Sequence, residues 1–192
     1  MKNAKKVLLL LLCAVLLVGA TVAGTVAYLT SNAKVENTFT VGNVAITMDE
    51  AKVDEYGVAV AGANRVQANT YKLLPGHTYT KDPTVKVDAN SEDCFVFVKI
   101  ENGLGVDGTL AMNTGWTLVT GQTNVWVYGT NEEPVSVEAG TNNLTPFSTF
   151  KFGENAKPSD HTDSKIVVTA YAIQADTLEA KSAAELWTLL NK

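Results

Sequence analysis

Cys94-Phe95-Val96-Phe97-Val98-Lys99-Ile100 is apolar on both faces for most of its length, with β-branched and aromatic side chains throughout. That is the pattern of a strand in the middle of a packed β structure, covered on both sides. Working outward, Asp82-Pro83 opens Thr84-Val85-Lys86-Val87-Asp88, in which apolar and polar residues alternate, and Ala89-Asn90-Ser91-Glu92-Asp93 is the loop between the two runs. Trp116 to Val119 and Val125 to Tyr128 flank Thr120-Gly121-Gln122-Thr123-Asn124, which reads as a hairpin with a glycine-containing loop. From Lys165 to Ile173 the alternation puts Ile166, Val168, Ala170 and Ala172 on one face and Val167, Thr169, Tyr171 and Ile173 on the other. Phe39, Val41, Val44 and Ile46 suggest another strand, bent or interrupted at Gly42-Asn43. Only the tail has a helical period. Ser182 with Glu185 three residues on forms a capping box ahead of Leu186, Trp187, Leu189 and Leu190.

Seven or more short strands with Gly and Asn turns predict an all-β fold: a two-sheet antiparallel sandwich, jelly-roll-like, with a short C-terminal helix. The apolar fraction of 46% is that of a globular chain and excludes intrinsic disorder and collagen-like repeats.

The first residues follow a different rule. Lys2, Lys5 and Lys6 precede an uninterrupted apolar run from Val7 to Leu17, and small residues follow: Gly19, Ala20, Ala23, Gly24, Thr25 and Ala27. This is the order of a secretory signal peptide over residues 1–27, with Thr25-Val26-Ala27 as the cleavage site and Tyr28 as the first mature residue. Roughly 20 apolar residues would also span a bilayer, so an uncleaved anchor is the competing reading. The small residues favour cleavage, after which the product is expected outside the cell with no membrane attachment. Residues 28–192 then form a single domain. Without the three leader lysines the 15 basic residues fall to 12 against 20 acidic ones, a balance of −8. A body so charged does not bind nucleic acid through a basic patch.

Chemistry-bearing motifs are scarce. The chain has two histidines and no H-E-x-x-H pair, no G-x-S-x-G elbow, no P-loop and no G-x-G-x-x-G after a strand. Cys94 sits among Phe95, Val96 and Phe97, where burial makes a thiol inert. Cys13 lies in the leader, so Cys94 has no disulfide partner in the mature chain. His77 follows Pro75-Gly76 and reads as an exposed turn histidine. His161, between Asp160 and Asp163, is either a solvated loop residue or part of a weak metal site. Asp88, Asn90, Glu92 and Asp93 resemble calcium ligands but lack the spacing and glycine of an EF-hand. Trp116, Trp126 and Tyr128 are either a sugar-binding face or, as is commoner in a hairpin, core. No catalytic residue, metal site or cofactor is assigned.

Several stretches together resemble one family. Ala23-Gly24-Thr25-Val26-Ala27-Tyr28-Leu29-Thr30, followed by Asn37-Thr38-Phe39-Thr40-Val41-Gly42-Asn43-Val44, resembles the start of the TasA/camelysin family. These are biofilm-matrix and cell-surface proteins of Gram-positive bacteria, exported with SipW-type signal peptides. Leu74-Pro75-Gly76-His77-Thr78-Tyr79-Thr80-Lys81-Asp82-Pro83 is similar to the family's Pro-Gly and Lys-Asp-Pro region, and Ala170-Tyr171-Ala172-Ile173-Gln174-Ala175 to its late core strand. The resemblance implies a jelly-roll subunit, cut by a SipW-type signal peptidase and assembled outside the cell into fibres by donating its N-terminal strand to a neighbour. Carried over, the donor lies within residues 28–41, with Tyr28, Leu29, Val35, Phe39 and Val41 as apolar contacts. The implied partners are other copies of the chain, and possible further ones are matrix proteins or polysaccharide. The camelysin branch is described as a metal-dependent protease, and no zinc motif here supports carrying that activity across.

The expectation is therefore a secreted structural protein of the matrix or cell surface, and not an enzyme. A monomeric binding or adhesion module is the alternative, with a secreted metallopeptidase using His77 or His161 behind it.

Overall fold

The computed structural model describes residues 5–7, 11–16 and 43–191. The chain divides into two compact units, Met1–Thr40 and Val41–Lys192. In the first, residues 5–7 and 11–16 are helical, with Val7, Leu11, Leu12, Val15 and Leu16 exposed. Among the described residues no helix is long and apolar enough to cross a membrane. Ala27 and Tyr28 at the expected cleavage site, and Tyr28, Leu29, Val35, Phe39 and Val41 of the expected donor strand, lie outside the described residues.

The second unit is built from ten strands in chain order: β1 (Ile46–Asp49), β2 (Thr78–Thr80), β3 (Thr84–Val87), β4 (Cys94–Asn102), β5 (Gly108–Met112), β6 (Trp116–Leu118), β7 (Val125–Tyr128), β8 (Ser136–Val137), β9 (Phe147–Phe152) and β10 (Ile166–Gln174). One helix, α1 (Ala183–Leu190), follows them. Every pairing is antiparallel. The largest sheet has the order β10-β4-β7-β6, with β8 also on β4; β1 pairs β3, and β2-β9-β5 form a third sheet. This is the all-β, sandwich-like fold expected from the sequence, with its short C-terminal helix.

β4 is the middle of the core. Its even-numbered residues Cys94, Val96, Val98 and Ile100 join Val85 and Val87 of β3 in one aliphatic cluster, which also takes in Trp116 and Phe147. Its odd-numbered residues Phe95 and Phe97 pack with Val125 and Val127 of β7 against Ala183 and Leu186 of α1. That is period-two alternation with both faces buried, at about 1.5–3 kcal/mol for each large side chain taken out of water. The helix starts as expected: the Ser182 hydroxyl accepts from the Glu185 amide, and the Glu185 carboxylate accepts from the Ser182 amide. A third cluster, Tyr79, Leu104, Phe150 and Phe152, underlies the β2-β9-β5 sheet.

The strand expected from Phe39 to Ile46 is described only from Ile46 onward. Asn43 to Ala45 belong to no strand, although the Asn43 carbonyl accepts from Glu92 N, the Ala45 carbonyl accepts from Asp88 N, and Ala45 N donates to Ser91 Oγ.

Candidate functional site: the outer edge of β10

β10 pairs with β4 along its whole length, from Ile166 opposite Asn102 to Gln174 opposite Cys94. Just beyond its two ends Gly103 N donates to Lys165 O, and Ala175 N donates to Asp93 O. In an antiparallel ladder the bonded pairs alternate, so residues 165, 167, 169, 171, 173 and 175 turn their backbone groups toward β4. Ile166, Val168, Ala170, Ala172 and Gln174 then turn theirs the other way. No described strand is hydrogen-bonded to that side, although β1 comes within 8 Å of β10 there. The same residues Ile166, Val168, Ala170 and Ala172 direct their side chains into the aliphatic cluster, yet each is only half-buried. Unpaired backbone and incompletely covered apolar side chains therefore share one edge.

β1 has a matching edge. Asp88 N donates to Ala45 O, so by the same alternation Ala45, Thr47 and Asp49 face β3 while Ile46, Met48 and Glu50 face away from it. Glu50 uses its outward groups on Val66, through bonds of 2.7 and 2.8 Å, whereas Ile46 and Met48 have no strand hydrogen-bonded on that side among the described residues. A groove of about 950 Å³ runs between Met48–Glu50 on one side and Ile166–Val168 on another, floored by Leu104 and Phe150.

The groove changes character along its length. At the β10 end Ile166, Val167 and Val168 line it beside the polar run from His161 to Lys165. Toward Glu50 it meets two ion-pair groups. Arg65 reaches Asp82 at 2.9 Å and also pairs with Asp49, which Lys86 bonds as well. Burial opposes the Asp49 charge, but the hydrogen bonds from Lys86 and Arg65 outweigh it and hold that carboxyl below its ordinary value. Glu50, only 4% exposed, is paired with Lys81 at 2.7 Å and bonded by Asn69 at 3.0 Å.

The residues singled out in the sequence fall as follows. Cys94 is fully buried, and burial, with the Asp93 charge behind it, pushes its thiol up to about 11, so it is a core residue. His77 is not the exposed turn residue expected: it is half-buried, its Nε2 2.9 Å from the Tyr56 carbonyl and its ring edge-on to Tyr79. His161 is neither solvated nor grouped with Asp160 and Asp163. Its Nε2 lies 2.9 Å from Asp107 Oδ2, with its ring edge-on to Phe152. Asp88 and Asp93 spend carboxylate oxygens on the backbone amides of Asn90 and Ala139. Among the described residues no three His, Cys, Asp or Glu side chains converge as metal ligands. Trp116 is 7% exposed, and Trp126 and Tyr128 pack against the same aliphatic cluster, which makes them core rather than a sugar-binding face.

The open edge and the Glu50 group were both missed by sequence reasoning. The edge has a signal only in part: the alternation of β10 shows which side chains face inward, but not which side of the strand is paired. Neither a family model, nor a curated protein, nor a solved structure matches this chain.

Proposed function

We propose that the protein is an exported structural subunit of an extracellular matrix or cell-surface fibre, in which residues 28–41 of one copy add as a strand to the outer edge of β10 in the next. The observation that carries this reading is the edge itself: outward-facing backbone from Ile166 to Gln174, with no described strand hydrogen-bonded to it and a partly apolar groove beside its first residues, Ile166 to Val168. An added strand makes main-chain hydrogen bonds to such an edge and fills the side-chain positions along it.

The proposed donor has the pattern that the edge requires. Leu29, Ala33, Val35, Phe39 and Val41 occupy odd positions, while Thr30, Asn32, Lys34, Glu36, Thr38 and Thr40 occupy even ones. As a strand it has one largely apolar and one polar face, interrupted on the apolar side by Ser31 and Asn37. Tyr28 falls on the polar side. The apolar face would complete the cluster that Ile166, Val168, Ala170 and Ala172 leave half-covered. A contact between one copy's donor and the next copy's edge is heterologous and does not close, so it propagates as a filament. The leader of Lys2, Lys5, Lys6 and a run of apolar and small residues supports export, and the resemblance to the TasA/camelysin family points the same way.

The test is negative-stain microscopy of protein beginning at Tyr28 beside protein beginning at Gly42. Filaments from the longer form alone are expected. Dispersed particles from both, across pH and salt, would overturn the reading and favour a monomeric surface module.

A further inference from the structure

We propose that Lys81 and Asn69 join in an intramolecular isopeptide bond, with Glu50 as the proton shuttle between them. The inference is independent of fibre assembly and stands on the geometry at the polar end of the groove.

Glu50 closes β1 with its side chain 5% exposed, and both of its carboxylate oxygens are engaged. Oε2 accepts from Lys81 Nζ at 2.7 Å, and Oε1 accepts from Asn69 Nδ2 at 3.0 Å. An amine and a carboxamide are therefore held side by side on one buried carboxylate. Lys81 is itself largely covered, at 12% exposure. The amide is fixed from every direction: Nδ2 donates a second bond to Ala51 O at 2.8 Å, and Oδ1 accepts from Val53 N at 3.0 Å. Tyr71, edge-on to both Tyr79 and Phe150, walls the group, and its hydroxyl donates to Thr80 O. Burial first, and then the charges of Glu50 and Asp82, raise the Tyr71 hydroxyl above its ordinary value.

Each part has a chemical use. Within the Lys81–Glu50 bond a proton passes from the ammonium to the carboxylate, giving a neutral amine and a carboxylic acid. The Nζ lone pair attacks Asn69 Cγ, and the carbonyl electron pair moves onto Oδ1, where the Val53 N–H stabilises the developing oxyanion. Glu50 gives its proton to Nδ2 through Oε1 and takes one from the new secondary nitrogen through Oε2. The Cγ–Nδ2 bond breaks, the carbonyl re-forms, and ammonia leaves through the groove, carrying off the shuttled proton as ammonium. Lys81 Nζ and Asn69 Cγ end as a secondary amide, with no oxidant, metal or further reactant required. The proximity is supplied by folding, which turns a slow reaction between two unreactive groups into an intramolecular one.

The bond would close the segment from Asn69 to Lys81 into a covalent loop. Its signature is a mass lower by one ammonia and a lysine that trypsin no longer cuts. The test is peptide mapping of the full chain, incubated folded and then digested under denaturing conditions. Residues 66–72 are expected joined to residues 73–86 as one branched peptide, short by the mass of ammonia. The Lys81→Arg variant keeps the cation beside Glu50 but lacks the nucleophile, and Glu50→Gln lacks the shuttle. Both are expected to give linear peptides only, with circular dichroism confirming that they fold. Linear peptides of unmodified mass from the native chain after prolonged incubation would overturn the proposal. So would Asn69 hydrolysed to Asp without a branched peptide, or branching in Glu50→Gln equal to that of the native chain.

Discussion

β4 and β10 are the same length, pair with each other residue for residue, and both alternate their side chains between two faces, yet they live in different surroundings. β4 has β10 on one side and β7 and β8 on the other, and Cys94 to Val98 are buried without exception. β10 has β4 on one side only, and no residue of it is fully buried. Along β10 the cover also changes: Tyr171 and Ile173 lie under α1, while Val167 is 42% exposed. Pattern decides which way a side chain points; only a neighbour decides whether that direction is inside.

Three tests, using five substitutions, bear on this contrast, in order of expected effect. Phe97→Ala removes a fully buried ring between β7 and α1 and is expected to cost about 3–5 kcal/mol in denaturant unfolding, whereas Val167→Ala on β10 stays within about 0.5 kcal/mol. Equal losses would dissolve the distinction between the two strands. Next, Thr169→Pro deletes an amide turned toward β4 and is expected to cost about 3 kcal/mol, while Ala170→Pro deletes one turned toward the open edge and costs about 1 kcal/mol or less. The second variant should remain folded and form no filaments; filaments from it would place the donor elsewhere. Finally, Ser182→Ala removes the capping box of α1 at a cost of about 1 kcal/mol. Amide exchange should then quicken at Tyr171 and Ile173, which α1 covers, and stay unchanged at Ile166 and Val168.

Where alternation is regular, the sequence is a faithful guide. β3, β4, the β6–β7 hairpin, β10 and the capped helix are all legible from it. β9 is not, for a local reason. Phe147 and Phe150 are three residues apart, yet both face inward, because a bulge opposite Leu110 and Met112 takes up the extra residue. A reader counting in twos loses the strand there. The interior of the site is harder still. Asn69 and Lys81 lie 19 and 31 residues from Glu50, so nothing in spacing brings the three together. Their meeting depends on β1 ending beside the segment that carries Asn69, which the pairing of Glu50 with Val66 arranges. His161 teaches the same lesson: its acidic neighbours in sequence are not its partner, and Asp107 is.

The β4–β10 register also joins segments far apart in the chain. The central strand completes its longest ladder with the last of the described strands, so Cys94 pairs with Gln174 across the whole intervening segment. Contacts so distant in sequence carry a large loop-closure cost before they return any stabilisation, and they slow folding. Until β10 is available, the most apolar segment of the second unit has one bare edge. An unpaired edge of that kind is a template on which other chains can pair, and β10 is what covers it.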